Sequence, residues 1–161
     1  MDKQLFKDAM RHLAATVNVI STDGDAGRNG ITATAVTSLS DTPPSLLVSV
    51  NKNGEFHDQV LKNKKFSVHI LREDMSEISN CFAGYKGFQG EEKFQLGTWD
   101  ISDESRVLEN ALANIECELT EAHDGYTHSI FIGKITDIKT TENHDDKPLL
   151  YSQGQYTTVQ S

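Results

Sequence analysis

Residues 109–120 carry the pattern that most constrains this chain. Ala111, Ala113, Ile115, Cys117 and Leu119 alternate with Asn110, Leu112, Asn114, Glu116, Glu118 and Thr120. The composition would tolerate a helix, but a period of two gathers those apolar side chains on one face only if the segment is extended. The same logic recurs along the chain. Phe66, Val68 and Ile70 mark one face of a strand over 65–71, and residues 17–22 and 46–51 read as further strands. Residues 30–38 (GITATAVTS) are rich in β-branched residues and read as one strand, with Ile31, Ala33 and Ala35 on one side. Residues 128–138 form a long strand in which Gly133 predicts a bulge or barrel bend.

Helical spacing is confined to three places. Leu5, Phe6, Ala9, Met10 and Leu13 share one face near the start, residues 56–62 form a short helix, and residues 74–82 form another. The last has Asp74 as its expected N-cap, with Glu77 three residues on. DGDAGRNG at 23–30 is a turn-rich loop, and DTPP at 41–44 an extended turn, because each proline fixes its own φ and restricts the residue before it. Short strands with few helices between them fit a small antiparallel β-barrel better than a parallel α/β sheet. The expected class is mainly β with peripheral helices (α+β). No repeat, low-complexity tract or linker divides the 161 residues, so one domain over 1–161 is expected.

Charge narrows the partners. The net charge is −9, which argues against nucleic acid and against an anionic membrane surface, since both need clustered Lys and Arg. The charge is uneven: residues 1–72 hold nine basic and seven acidic residues, +2, while residues 73–161 hold six and seventeen, −11. An anionic ligand should therefore dock on the first part. No run reaches the roughly 18 apolar residues of a membrane span, and MDKQLFKDAM has no apolar signal core. Two distant cysteines, Cys81 and Cys117, suit a reducing cytoplasm and read as small buried hydrophobes. Six scattered histidines show no HExxH spacing, so no metal site is expected. The acidic stretch 100–109 and His144, Asp145 and Asp146 read as solvated loop.

The densest chemical signal lies at residues 30–54. Thr32, Thr34, Thr37 and Ser38 place hydroxyls around small Ala33 and Ala35. Small side chains let a flat ligand approach the backbone, whose amides can then read its edge. Composition alone favours the plainer alternative, a Thr/Ala-rich strand with one wet face. Asn51, Lys52, Asn53 and Gly54 follow a strand and offer amide donors, a turn-competent glycine and one cation, which suits a phosphate. An ordinary polar turn has the same composition.

Taken together, FKDAM, VNVIST and GITATAVTSLSDTPPSLLVSVN, with FAG at 82–84, THSIFIGKI at 127–135 and PLLYSQGQY at 148–156, resemble the flavin-reductase-like domain family. The nearest likeness is to the small reductase components of two-component flavin monooxygenases. That resemblance implies an FMN-binding split β-barrel, a homodimer, and NAD(P)H-dependent reduction of FAD or FMN. It further implies that the reduced flavin diffuses to a separate flavin-dependent, aromatic-type monooxygenase. Carried over residue by residue, it places Thr32, Ala33, Thr34, Ala35, Val36 and Ser38 along the isoalloxazine and ribityl chain. Asn51, Lys52 and Asn53 meet the phosphate, and Phe82 and Ala83 border the flavin. His128, Leu149, Leu150 and Tyr151 take the nicotinamide side. Two positions depart from the family pattern: Asn53 stands where Ser or Thr is common, and Tyr126-Thr127-His128 replaces Gly-Asp-His. No obligatory catalytic acid or base is implied, because hydride transfer is the cofactors' own chemistry. The acidic second part offers no Arg cluster for a 2′-phosphate, which favours NADH over NADPH. The alternative classes are a non-catalytic flavin-binding or redox-sensing module and a barrel that has lost flavin.

Overall fold

The computed structural model describes residues 1–101 and 106–160. The stretch 100–109, expected as solvated loop, lies partly outside the described residues. In chain order the elements are α1 (Lys3–Met10), β1 (Ala15–Thr16), β2 (Asn18–Thr22), β3 (Asn29–Ala33), β4 (Val36–Asp41), β5 (Pro44–Asn51), α2 (Phe56–Asn63) and β6 (Lys65–Ile70). They continue with α3 (Ser76–Phe82), a 3-10 turn (Gly90–Gln95), β7 (Trp99–Asp100), β8 (Val107–Leu108), β9 (Ala113–Gly125), β10 (His128–Thr140), β11 (Leu150–Ser152) and β12 (Gln155–Thr157).

Seven strands form one antiparallel sheet in the order β3-β2-β6-β9-β10-β5-β4. The two edge strands are consecutive in the chain. Laid flat, six strand spacings would set them about 29 Å apart. Yet Ala33 and Val36 are three residues apart, and three peptide units reach at most about 11 Å. The sheet must therefore curl until its edges meet, which makes it a barrel. Its interior confirms the closure: Ile31, Ile20, Phe66, Cys117, Phe131, Val48 and Val36, one from each strand in sheet order, belong to a single apolar cluster. Phe56 and Val60 of α2 join that cluster. Burying each large apolar side chain fully contributes about 1.5–3 kcal/mol.

A second cluster lies on the outer face, where Val17, Val19, Phe82, Leu108 and Leu149 pack with Phe94 and Trp99. There the sheet carries a buried polar triad. His69 shares hydrogen bonds with Ser21 Oγ (2.7 Å) and Asn114 Oδ1 (2.6 Å) under the edge of Trp99.

Three expectations need correction. Residues 30–38 are two strands, because the chain crosses the barrel seam at residues 34–35 and no single ladder spans it. The Asp74 carboxylate does not cap α3; it accepts two 2.8 Å hydrogen bonds from Arg72, and Met75 occupies the N-cap. DTPP is a tight two-residue hairpin, with Asp41 paired to Pro44. The apolar face of α1 is not part of either core: Phe6 is 56% and Leu13 62% exposed. Gly133 does sit beside a bulge, at the register shift opposite Ile132 and Gly133.

Candidate functional site

The seam opens the barrel surface where the small residues stand. The β3 ladder stops at Ala33 and the β4 ladder begins at Val36, so the Thr34 and Ala35 amides belong to no ladder pair. Their carbonyls are engaged: Thr34 O accepts from Val36 N (2.9 Å) and Ala35 O from Ser49 N (3.0 Å). Two adjoining recesses meet at this break and share Thr34 and Tyr151. The first, about 280 Å³, adds Thr32, Ala33, Ala83 and three further groups, Ser79, Tyr85 and Tyr156. The second, about 790 Å³, adds Ala35 and the exposed apolar residues Phe6, Met10 and Leu13. That volume is in the range of small-molecule sites.

The walls of the first recess are mostly small or flat, which suits a planar ring. Ala33 and Ala83 leave room, and Gly84, at φ +92°, ends α3 directly after Ala83. Tyr151 on β11 stands edge-to-face on Tyr156, centroids 5.5 Å apart. Tyr156 is itself fixed, donating to Asn80 Oδ1 (2.7 Å) and accepting from Ser79 Oγ (2.7 Å). Of the hydroxyls expected here, Thr32 is already committed, donating to Ser79 O (2.6 Å) and so tying α3 to β3. Ser38 is exposed further along β4, and Val36 is half-buried.

A second group lies along β5. Asn51 is two residues beyond Ser49, about 7 Å along an extended strand. Its Oδ1 accepts from Asn53 N (2.8 Å), Gly54 turns at φ +88°, and Lys52 N donates to Thr127 O (2.9 Å). His128 pairs with Asn51 across the ladder, and its Nδ1 shares a 2.8 Å hydrogen bond with Thr127 Oγ1. Behind them, buried His57 of α2 bonds Ser129 Oγ (2.7 Å) and steadies this end of β10. Lys52 Nζ forms an ion pair with Asp124 on the facing hairpin.

Of the expected residues, Val36, Ser38, Asn51, Lys52, Asn53, Phe82, His128, Leu149 and Leu150 line neither recess, and two of these are buried. Phe82 and Leu149 are each 2% exposed in the outer core. Phe82 acts from beneath: a Cβ on Gly30 would lie 2.7 Å from its ring, so Gly30 lets β3 ride on it. Leu149 bonds Val17 and Leu71 through its backbone and leads into Leu150 and Tyr151 on β11. Ser79, Tyr85, Tyr156 and the α1 residues escaped sequence reasoning. Tyr85 directly follows FAG and Tyr156 ends PLLYSQGQY, so proximity to those motifs was the available signal. Burial pushes both thiols up, Cys117 to about 12, so neither cysteine is a nucleophile at neutral pH.

Residues 10–160 match the model of the flavin reductase like domain family. The chain is 40% identical over 155 residues to the FMN reductase (NADH) RutF of Agrobacterium fabrum, covering 96% of this chain and 87% of that protein. It is 40% identical over 156 residues to the 4-hydroxyphenylacetate 3-monooxygenase reductase component of Escherichia coli, covering 96% and 90%. The flavin reductase PheA2 superposes with a TM-score of 0.88 at 32% identity, covering both chains entirely (100% of each).

Proposed function

The chain belongs to the flavin reductase like domain family and is a flavin reductase; on that premise we propose how its residues act and what they serve. Residues 1–161 act as one domain. The observation that carries the reading is the break at residues 34–35, where neither strand ladder continues and Thr34 and Ala35 line two adjoining recesses bounded by Tyr151. Thr32, Ala33, Thr34, Ala35, Val36, Ser38 and Ala83 take the flavin ring and ribityl chain, with Phe82 supporting the floor. Asn51, Lys52 and Asn53 take its phosphate. His128 and Tyr151 take the nicotinamide, with Leu149 and Leu150 aiming Tyr151.

Bound flavin and nicotinamide supply the hydride chemistry. The chain's part is geometric and electrostatic. Tyr151 and the small residues hold the rings stacked, an orientation worth several kcal/mol of barrier. The Thr34 and Ala35 amides donate toward a ring edge that gains negative charge.

The reduced flavin, FAD or FMN, leaves for a separate monooxygenase, as in the relatives named as reductase components. The exposed apolar face of α1, beside the recess at Ala35, supports a homodimer that covers it. Among the described residues no helix is long and apolar enough to cross a membrane. With two free, buried cysteines, the cytoplasm is the proposed compartment.

Purified protein given FMN or FAD and then NADH should consume many equivalents of NADH per protein, and NADPH more slowly. Flavin binding without turnover would make it a non-catalytic module, and no binding would remove flavin altogether. In the same assay His128→Ala should raise the KM for NADH about tenfold, the loss of one hydrogen-bond contact, with kcat little changed. An unchanged KM would remove His128 from the nicotinamide site.

A further inference from the structure

Lys52 is the single cation of the loop that carries Asn51, Asn53 and Gly54, and its ammonium is already engaged. Asp124, near the tip of the β9–β10 hairpin, holds it in an ion pair. The backbones are clamped together as well, through Lys52 N to Thr127 O at 2.9 Å. Loop and hairpin therefore keep their spacing whatever the two side chains do. Both side chains reach water, at 38% and 74% exposure. An exposed pair of this kind is weakly held and easily exchanged.

Resting on the phosphate reading of Asn51, Lys52 and Asn53, we propose that Asp124 is a built-in competitor for the flavin phosphate. It occupies Lys52 when flavin is absent, yields to the phosphate on binding, and takes the ammonium back as flavin leaves. The chemistry is that of like acceptors. A carboxylate and a phosphate monoester both offer anionic oxygens to an ammonium, and the phosphate carries more charge near neutral pH. The displaced carboxylate stays close by, on a hairpin whose backbone is fixed, so it both repels the phosphate and waits for the vacated lysine. Affinity is lowered while the ring contacts keep their geometry, which is what a reductase releasing its product requires. Asp124 is thus an affinity-setting residue, not a catalytic one.

Titration calorimetry with FMN and with riboflavin, which lacks the phosphate, tests this without turnover. Asp124→Asn should bind FMN about three- to tenfold more tightly than the wild type and riboflavin equally well. Asp145→Asn makes the same charge change on a different loop and should alter neither. Lys52→Ala should weaken FMN toward the affinity of riboflavin. If Asp124→Asn binds FMN no more tightly while Lys52→Ala weakens it, the competitor role is wrong and the phosphate site stands. If Lys52→Ala leaves FMN affinity unchanged, the phosphate site falls and the competitor with it. If the wild type binds neither flavin, the flavin reading itself fails.

Discussion

Gly133→Ala is expected to destabilise the protein by about 3 kcal/mol, at the upper end of what one added methyl costs in a packed core. The position is buried in β10, and its φ is one that alanine adopts freely, so the cost is steric alone. A Cβ there would lie 2.6 Å from Cys117 Cβ and 2.6 Å from Phe66 Cζ. Neither neighbour can yield cheaply. Cys117 Cβ is fixed to the β9 backbone, and Phe66 is fully buried among strands that meet in the barrel interior. The register shift opposite Ile132 and Gly133 leaves Thr120 of β9 as the extra residue, so the bulge beside Gly133 lies on the strand that carries Cys117. Urea unfolding should show the lower midpoint. Phe66→Leu, which shortens the opposing side chain, should cost less in the Gly133→Ala background than in the wild type. Simple additivity of the two changes would mean that Gly133 is not there to admit Phe66.

That glycine also shows how much of the fold is legible in the residues themselves. The alternation at 111–119 predicts β9, and Gly133 in an otherwise β-branched run predicts the bend, because both are local consequences of side-chain period and missing bulk. The GITATAVTS strand is legible in direction but not in its interruption. β3 and β4 follow one path across the seam, and only the closure of seven strands shows that residues 34–35 belong to neither ladder. Asp74 has the type and place of an N-cap, yet Arg72 two residues earlier competes for the same carboxylate and wins. The apolar stripe of α1 says that a face needs cover, not that this chain supplies it. At the site, Thr34, Ala35 and Tyr151 are legible through their motifs. Tyr156 and Ser79 are not, because their role depends on a hydrogen bond across 77 positions.

The triad on the outer sheet face leads to the second large effect, loss of stability in mild acid. His69 is fully buried, and its partners define its tautomer. Asn114 Nδ2 donates to Leu108 O (3.2 Å), so its Oδ1 must accept, and His69 Nδ1 carries the proton. Nε2 then accepts from the Ser21 hydroxyl. Both ring nitrogens are satisfied in the neutral form and water is excluded from the charged one. Burial therefore pushes His69 down to about 4 from 6.5, although the Asn114 hydrogen bond opposes the shift. The unfolded chain binds this proton near 6.5, the folded one only near 4. Stability is thus whole above pH 6.5 and drains away as pH falls toward 4. By pH 4.5 the loss should be about 2–3 kcal/mol relative to pH 7. Asp23 and Asp74, whose carboxyls lie below their ordinary value of 3.8, lose their contributions only in stronger acid, beneath this window. His69→Gln can donate to Asn114 and accept from Ser21 but cannot titrate. It should be less stable than the wild type at pH 7 and should close much of that gap by pH 4.5. Parallel curves of stability against pH for the two proteins would place the acid sensitivity elsewhere.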